Sequence, residues 1–73
     1  MTENEKILAA NGYRRAYIEY PIYRRDAGGR SVFIRIFKGG RARLSVGMEN
    51  CYMRMFPTVR QAVLAGYMVE KMK

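Results

Sequence analysis

The chain has 73 residues, 14 of them Lys or Arg and six Asp or Glu, with one cysteine, no histidine and a net charge of +8, for a pI near 10.2. A chain of this length is expected to form one domain over 1–73 that buries only about 60% of its unfolded surface, which argues against a deep catalytic pocket. The lone Cys51 excludes an internal disulfide and the absence of histidine removes the usual zinc arrangements, while the charge favours a polyanionic partner or, more plainly, serves solubility.

The N-terminal stretch MTENEKILAANG is polar and acidic, unlike a signal peptide, and no apolar run approaches the roughly 20 residues that a bilayer needs. The expectation is a protein of the reducing cytoplasm with no membrane contact and no metal or cofactor. Within this stretch, Thr2 and Glu5 have the spacing of a capping box, Ile7 and Leu8 supply an apolar side, and Asn11-Gly12 supplies a left-handed stop. A short helix that docks as a lid on the sheet is predicted.

YRRAYIEYPIY, at 13–23, reads as an extended strand with Ala16, Ile18, Tyr20 and Ile22 on an apolar side and Arg15, Tyr17, Glu19 and Tyr23 on the other. Pro21 cannot donate to a ladder, which assigns this strand to an edge. RRDAGGR, at 24–30, then reads as a basic turn punctuated by Asp26, Gly28 and Gly29. Its arginines suit either an ordinary exposed turn or one that approaches phosphate, and its spacing matches no nucleotide-binding fingerprint.

SVFIRIFKGGRARLSV, at 31–46, alternates with period 2. A two-residue turn at Gly39-Gly40 would pair Ile36 with Arg43 and scramble the faces. A three-residue loop of Lys38, Gly39 and Gly40 pairs Ile36 with Ala42, Ile34 with Leu44 and Val32 with Val46. One face is then apolar, and the other carries Phe33, Arg35, Phe37, Arg41 and Arg43, joined from the first hairpin by Arg15 and Tyr17. MEN, at 48–50, reads as a turn, and CYMRMF, at 51–56, as a further strand with Tyr52, Arg54 and Phe56 opposed to Cys51, Met53 and Met55.

From Thr58 the period changes to that of a helix. Thr58 and Gln61 form a second capping-box pair after Pro57, and Val59, Ala62, Val63, Gly66 and Tyr67 make an apolar stripe widened by Leu64, Ala65, Met68, Val69 and Met72. Such a helix must pack on the apolar face of the hairpins. The six methionines read as core filler.

SVFIRIF, RARLSV and CYMRMFPTVRQAVLAGY resemble the three strands and C-terminal helix of the small sheet-type DNA-binding modules of plant ethylene-response factors and of tyrosine-recombinase integrase N-termini. Phe56, Thr58, Ala62 and Tyr67 stand at the aromatic, Thr, Ala and aromatic places of that family's helix pattern, and Arg35 at its strand arginine. The resemblance covers 31–73, and the first strand, the N-terminal helix and the absence of tryptophan depart from it. It implies a sheet face lying in the major groove, with arginines on phosphates and guanine edges. The chain order also resembles double-stranded RNA-binding domains, although no lysine cluster opens the last helix.

The expected architecture is α+β: a three- to four-stranded antiparallel sheet with a C-terminal helix on one face and a short N-terminal helix. The expected function is nucleic-acid binding through the other face, DNA favoured over RNA, by Arg15, Tyr17, Phe33, Arg35, Phe37 and Arg43 with Arg24, Arg25, Arg30, Lys38 and Arg41 around them. The alternative is an interaction protein of a phage or mobile element that inhibits a host enzyme or nucleoprotein complex, anchored by Tyr13, Tyr17, Tyr20 and Tyr23. Enzymatic activity is not expected, because Glu3, Glu5, Glu19, Asp26, Glu49 and Glu70 form no recognisable acid and base pair.

Overall fold

A computed structural model of the chain describes residues 2–47 and 52–71. The elements are α1 (Glu3–Ala10), β1 (Arg14–Arg15), β2 (Ile22–Ala27), β3 (Arg30–Ile36), β4 (Ala42–Val46), β5 (Tyr52–Phe56) and α2 (Val59–Lys71). All five strands join one antiparallel sheet in chain order. The class, the C-terminal helix and the short N-terminal helix are as the sequence indicates, and the sheet has one strand more than the upper expectation. The residues read as a turn at 48–50, together with Cys51 and Met72, lie outside the described residues.

The extra strand comes from a break in the stretch read as continuous. Residues 13–23 split into β1 and the start of β2, with 16–21 leaving the ladder between them. Ala16, Ile18 and Tyr20, expected in the core, are exposed. Pro21, which has no N–H to give, ends this excursion one residue before β2; its carbonyl accepts from the Ile36 N–H at 3.0 Å.

The turn after β2 is also shorter than expected. Arg24, Arg25 and Asp26 belong to the strand, and only Gly28 and Gly29 turn, both left-handed at φ 58° and 79°. A two-residue hairpin turn with both φ positive is open to glycine at little cost and fixes the register of the strands it joins. Ala27 therefore pairs with Arg30 and Tyr23 with Ile34, so Tyr23 faces the core and Ile22 the opposite side, the reverse of the expected parity. The β3–β4 hairpin follows the expected three-residue loop, with Ile36↔Ala42, Ile34↔Leu44 and Val32↔Val46. The Phe37 N–H donates to the Arg41 carbonyl at 2.7 Å and the Gly40 N–H to the Phe37 carbonyl at 3.1 Å.

The core lies between the sheet and the helices. α2 packs across β3, β4 and β5, and α1 packs against α2. Val32, Ile34, Ala42, Leu44 and Val46 meet Val59, Ala62, Val63 and Val69 of α2, with Leu8, Tyr13 and Tyr23 completing the cluster. Each buried Val, Leu or Ile contributes about 1.5 to 3 kcal/mol relative to exposure, which is why an eight-residue helix that is unstable alone holds here. The first predicted capping box forms, with Thr2 and Glu5 bonding reciprocally, and of the second pair the Thr58 hydroxyl accepts from the Gln61 N–H at 3.2 Å. Among the described residues methionine is not the filler: Met53, Met55 and Met68 are exposed, the first two because they stand opposite Ser45 and Arg43 on the face away from α2. No described helix is long and apolar enough to cross a membrane.

Candidate functional site

Since α2 occupies one face, alternation along the strands sends every second side chain to the other. One row of paired positions there is Arg14, Arg24, Phe33, Ser45 and Met53; the next is Ile22, Arg35, Arg43 and Met55. The excursion at 16–21 bends over this face, so that Tyr17 closes a depression of ≈ 220 Å³ with Ile22, Phe33, Arg35, Arg43 and Ser45.

Arginine and aromatic side chains on this face are organised in contact. Arg35 lies over the rings of Phe37 and Tyr20, 5.1 and 5.5 Å from their centroids, Arg43 over Phe37 at 5.6 Å, and Arg24 over Phe33 at 5.6 Å. Such contacts attract through the ring quadrupole and restrain the guanidinium over the ring. Arg35 and Arg43 are direct cross-strand partners, an arrangement of like charges that destabilises a sheet. Neither has a carboxylate partner among the described residues, and the Arg43 Nε is shielded from solvent with no hydrogen-bond acceptor.

Arg24 differs from this pair. Its Nε donates to Asp26 Oδ1 at 3.0 Å and its NH2 to Ser31 Oγ at 3.1 Å, while the Ser31 hydroxyl donates to the same carboxylate oxygen at 3.0 Å. The hydrogen bond from Arg24, then that from Ser31, holds the Asp26 carboxyl below its usual pKa.

Of the predicted site residues, the structure gathers Tyr17, Arg24, Phe33, Arg35, Phe37 and Arg43 on the open face, with Lys38 and Arg41 exposed at the hairpin end beside Phe37. Three are elsewhere. Arg15 pairs with Tyr23 and so points to the helix side, where it lies over that ring at 5.9 Å and donates to the carbonyls of Tyr17 and Ile18. Arg25 also faces the helices, 4.4 Å over Tyr67 and 5.6 Å over Tyr13, and donates to the Asn11 carbonyl at 3.1 Å. Arg30, paired with Ala27, borders Val46, Gly47, Tyr52 and Val69. For Arg15 the cause is the Gly28-Gly29 register, which reverses the faces expected for 13–23; Arg25 and Arg30, expected in a basic turn, belong instead to β2 and β3, on the parity of Tyr23 and Val32.

The same reversal brings in Arg14 and Ile22, which alternation within 13–23 alone does not assign to this face. Ser45, Met53 and Met55 were readable in principle, since the β3–β4 pairing extends to β5 once Ala42 is set opposite Phe56. No protein-family model matches the chain, and no significant match joins it to a curated protein or a solved structure. Function is therefore argued from this geometry.

Proposed function

We propose that the protein binds nucleic acid through the open face of its sheet, with duplex DNA as the preferred form. The observation that carries this reading is the Arg35–Arg43 pair: two adjacent guanidiniums with no carboxylate partner among the described residues, both over the Phe37 ring, at the centre of an uncovered face. A polyanion between or beside them relieves their repulsion and supplies the acceptors that the chain itself does not. Guanidinium forks restrained over a ring suit bidentate contacts to guanine O6 and N7 or to phosphate, and Arg14, Lys38 and Arg41 suit flanking phosphates.

The rings favour duplex over unpaired strands. Single-strand binders stack bases on open aromatic faces, whereas Phe33, Phe37 and Tyr20 each carry a guanidinium of their own chain. On this reading they hold the arginines rather than the bases. Titration of labelled duplex, single-stranded DNA and RNA by anisotropy over a salt series tests it. About five phosphate contacts give a slope of log K against log salt near −4 to −5 for duplex. A slope near zero removes nucleic acid as the partner.

One feature favours docking on a protein, the alternative reading. Ile18 is 95% exposed between the exposed Tyr17 and Tyr20, an apolar tip that suits a protein pocket better than a phosphate backbone. Of the four tyrosines read as anchors, Tyr13 and Tyr23 are 4% and 6% exposed and belong to the core, so that reading rests on Tyr17 and Tyr20. Gel filtration with a random duplex separates the two readings: co-migration supports nucleic acid, and its absence supports a protein partner.

A further inference from the structure

Away from the centre of the open face, where α1 hands over to β1, a second concentration of charge surrounds a groove of ≈ 450 Å³. Gly12, Arg14, Arg15, Arg24, Arg25 and Asp26 bound it. Adjacent arginines on β1 and adjacent arginines on β2 bring both faces of the sheet to this rim, because β1 is only two residues long and its end is open. Arg14 and Arg24 are direct cross-strand partners, a second pair of like charges side by side.

Three of the four guanidiniums are held by bonds of their own. Arg15 donates through Nε and NH2 to the carbonyls of Tyr17 and Ile18, Arg24 through Nε and NH2 to Asp26 and Ser31, and Arg25 through NH1 to the Asn11 carbonyl. A guanidinium has five N–H donors in a fixed fork, so these bonds set each fork's orientation, and those of Arg15 and Arg24 leave further donors for a ligand. The carboxylate at the rim, Asp26, is already ion-paired with Arg24. Positively charged forks held in place around a groove are the arrangement that recognises the several oxygens of a phosphate.

We infer that this groove is an anion site for a phosphate or diphosphate group, supplied by a nucleotide or by a nucleic-acid strand, and distinct from the Arg35–Arg43 pair. Occupancy neutralises the Arg14–Arg24 repulsion and uses donors that the fold has oriented but not consumed. The inference does not depend on the open face binding nucleic acid.

Titration with inorganic pyrophosphate, followed through the arginine Nε–Hε NMR signals, tests it. The Arg14, Arg15 and Arg24 signals shift together along one saturating curve, whose midpoint differs from that of any shift at Arg35 and Arg43. Arg14→Ala, an exposed change with no bond to break, weakens binding at least threefold, and Arg14→Ala with Arg15→Ala weakens it at least tenfold. Lys6→Ala with Arg60→Ala, on the exposed surfaces of α1 and α2, leaves it unchanged. Shifts of all arginines without saturation, or wild-type affinity in both groove variants, overturn the site.

The source of the phosphate follows from one oligonucleotide with and without a 5′-phosphate. A gain from the 5′-phosphate that disappears in the groove variants assigns a strand end. Equal binding of the two strands, weakened by the groove variants, assigns the backbone, and strand binding indifferent to the groove assigns a free nucleotide. Pyrophosphate binding that persists without duplex binding leaves the groove standing and ends the open-face reading; the converse ends the groove.

Discussion

Arg25 and Arg43 make the same kind of contact on opposite faces of one sheet, and the difference lies in what completes each. Arg25 lies over Tyr67 and Tyr13, donates to the Asn11 carbonyl, and meets a hydrogen-bonded neighbourhood in which Tyr67 Oη donates to Asn11 Oδ1 at 2.8 Å and Asn11 Nδ2 to the Ile7 carbonyl at 2.7 Å. It ties α1, β2 and α2 together at one end of the core. Arg43 lies over Phe37 beside Arg35, with its Nε shielded and without an acceptor. An arginine on a ring is thus a structural bracket where the chain supplies acceptors, and a candidate contact for a foreign anion where it does not. The helix side closes on itself; the open side leaves an electrostatic deficit for a ligand to meet.

The comparison breaks most visibly at the core. Ile34 and its partner Leu44 are fully buried under α2. Ile34→Ala should cost about 2 to 5 kcal/mol in urea denaturation through the cavity it leaves, a large share of the stability of a domain this small. Wild-type stability in that variant would mean that the helices do not cover this face.

A smaller change of the opposite sign sharpens the contrast. Arg43→Met removes a like-charge neighbour and the unpaired Nε while keeping an unbranched side chain beside Phe37. The expected result is a higher melting temperature, with a gain of up to about 1 kcal/mol, and weaker duplex binding. Arg25→Met should lower the melting temperature, since there the bonds to α1 are lost.

The least effect concerns acid. The Asp26 carboxyl has its folded-state pKa held down by Arg24 and Ser31, so its contribution to stability is complete above the unfolded pKa and disappears as pH falls through the folded one. Glu5 behaves likewise through its cap bonds with Thr2. Denaturation followed from pH 6 downward should lose stability below about pH 4, and Asp26→Asn should flatten part of that fall.

The β3–β4 hairpin was legible because its apolar residues share one parity and only an odd loop preserves it. The Arg35, Arg43 and Phe37 part of the candidate site came with that register. The first hairpin was not, since Ile22 and Tyr23 are both apolar and either can be turned inward; the Gly28-Gly29 turn chooses Tyr23. Periodicity is silent on that choice, which displaced Arg15 from the face on which it had been expected; Arg25 and Arg30 moved because the turn is two residues long and the strands take up the rest of 24–30. At 16–20 the apolar spacing was real but had no ladder to join. Met53 and Met55 are exposed because the β4–β5 register sets them opposite Ser45 and Arg43, on the face away from α2, a placement that follows once Ala42 is set opposite Phe56.

If the open face binds nucleic acid as proposed, position on that face rather than net charge governs affinity. Two double variants that each remove two charges test it: Arg35→Ala with Arg43→Ala on the open face, and Lys6→Ala with Arg60→Ala on the exposed surfaces of α1 and α2. With labelled duplex at one salt concentration, the open-face variant should lose at least about tenfold in affinity, from about 1 to 3 kcal/mol per lost bidentate contact. The helix variant should stay within about threefold. Equal losses in the two variants, or wild-type affinity in the first, would contradict the account.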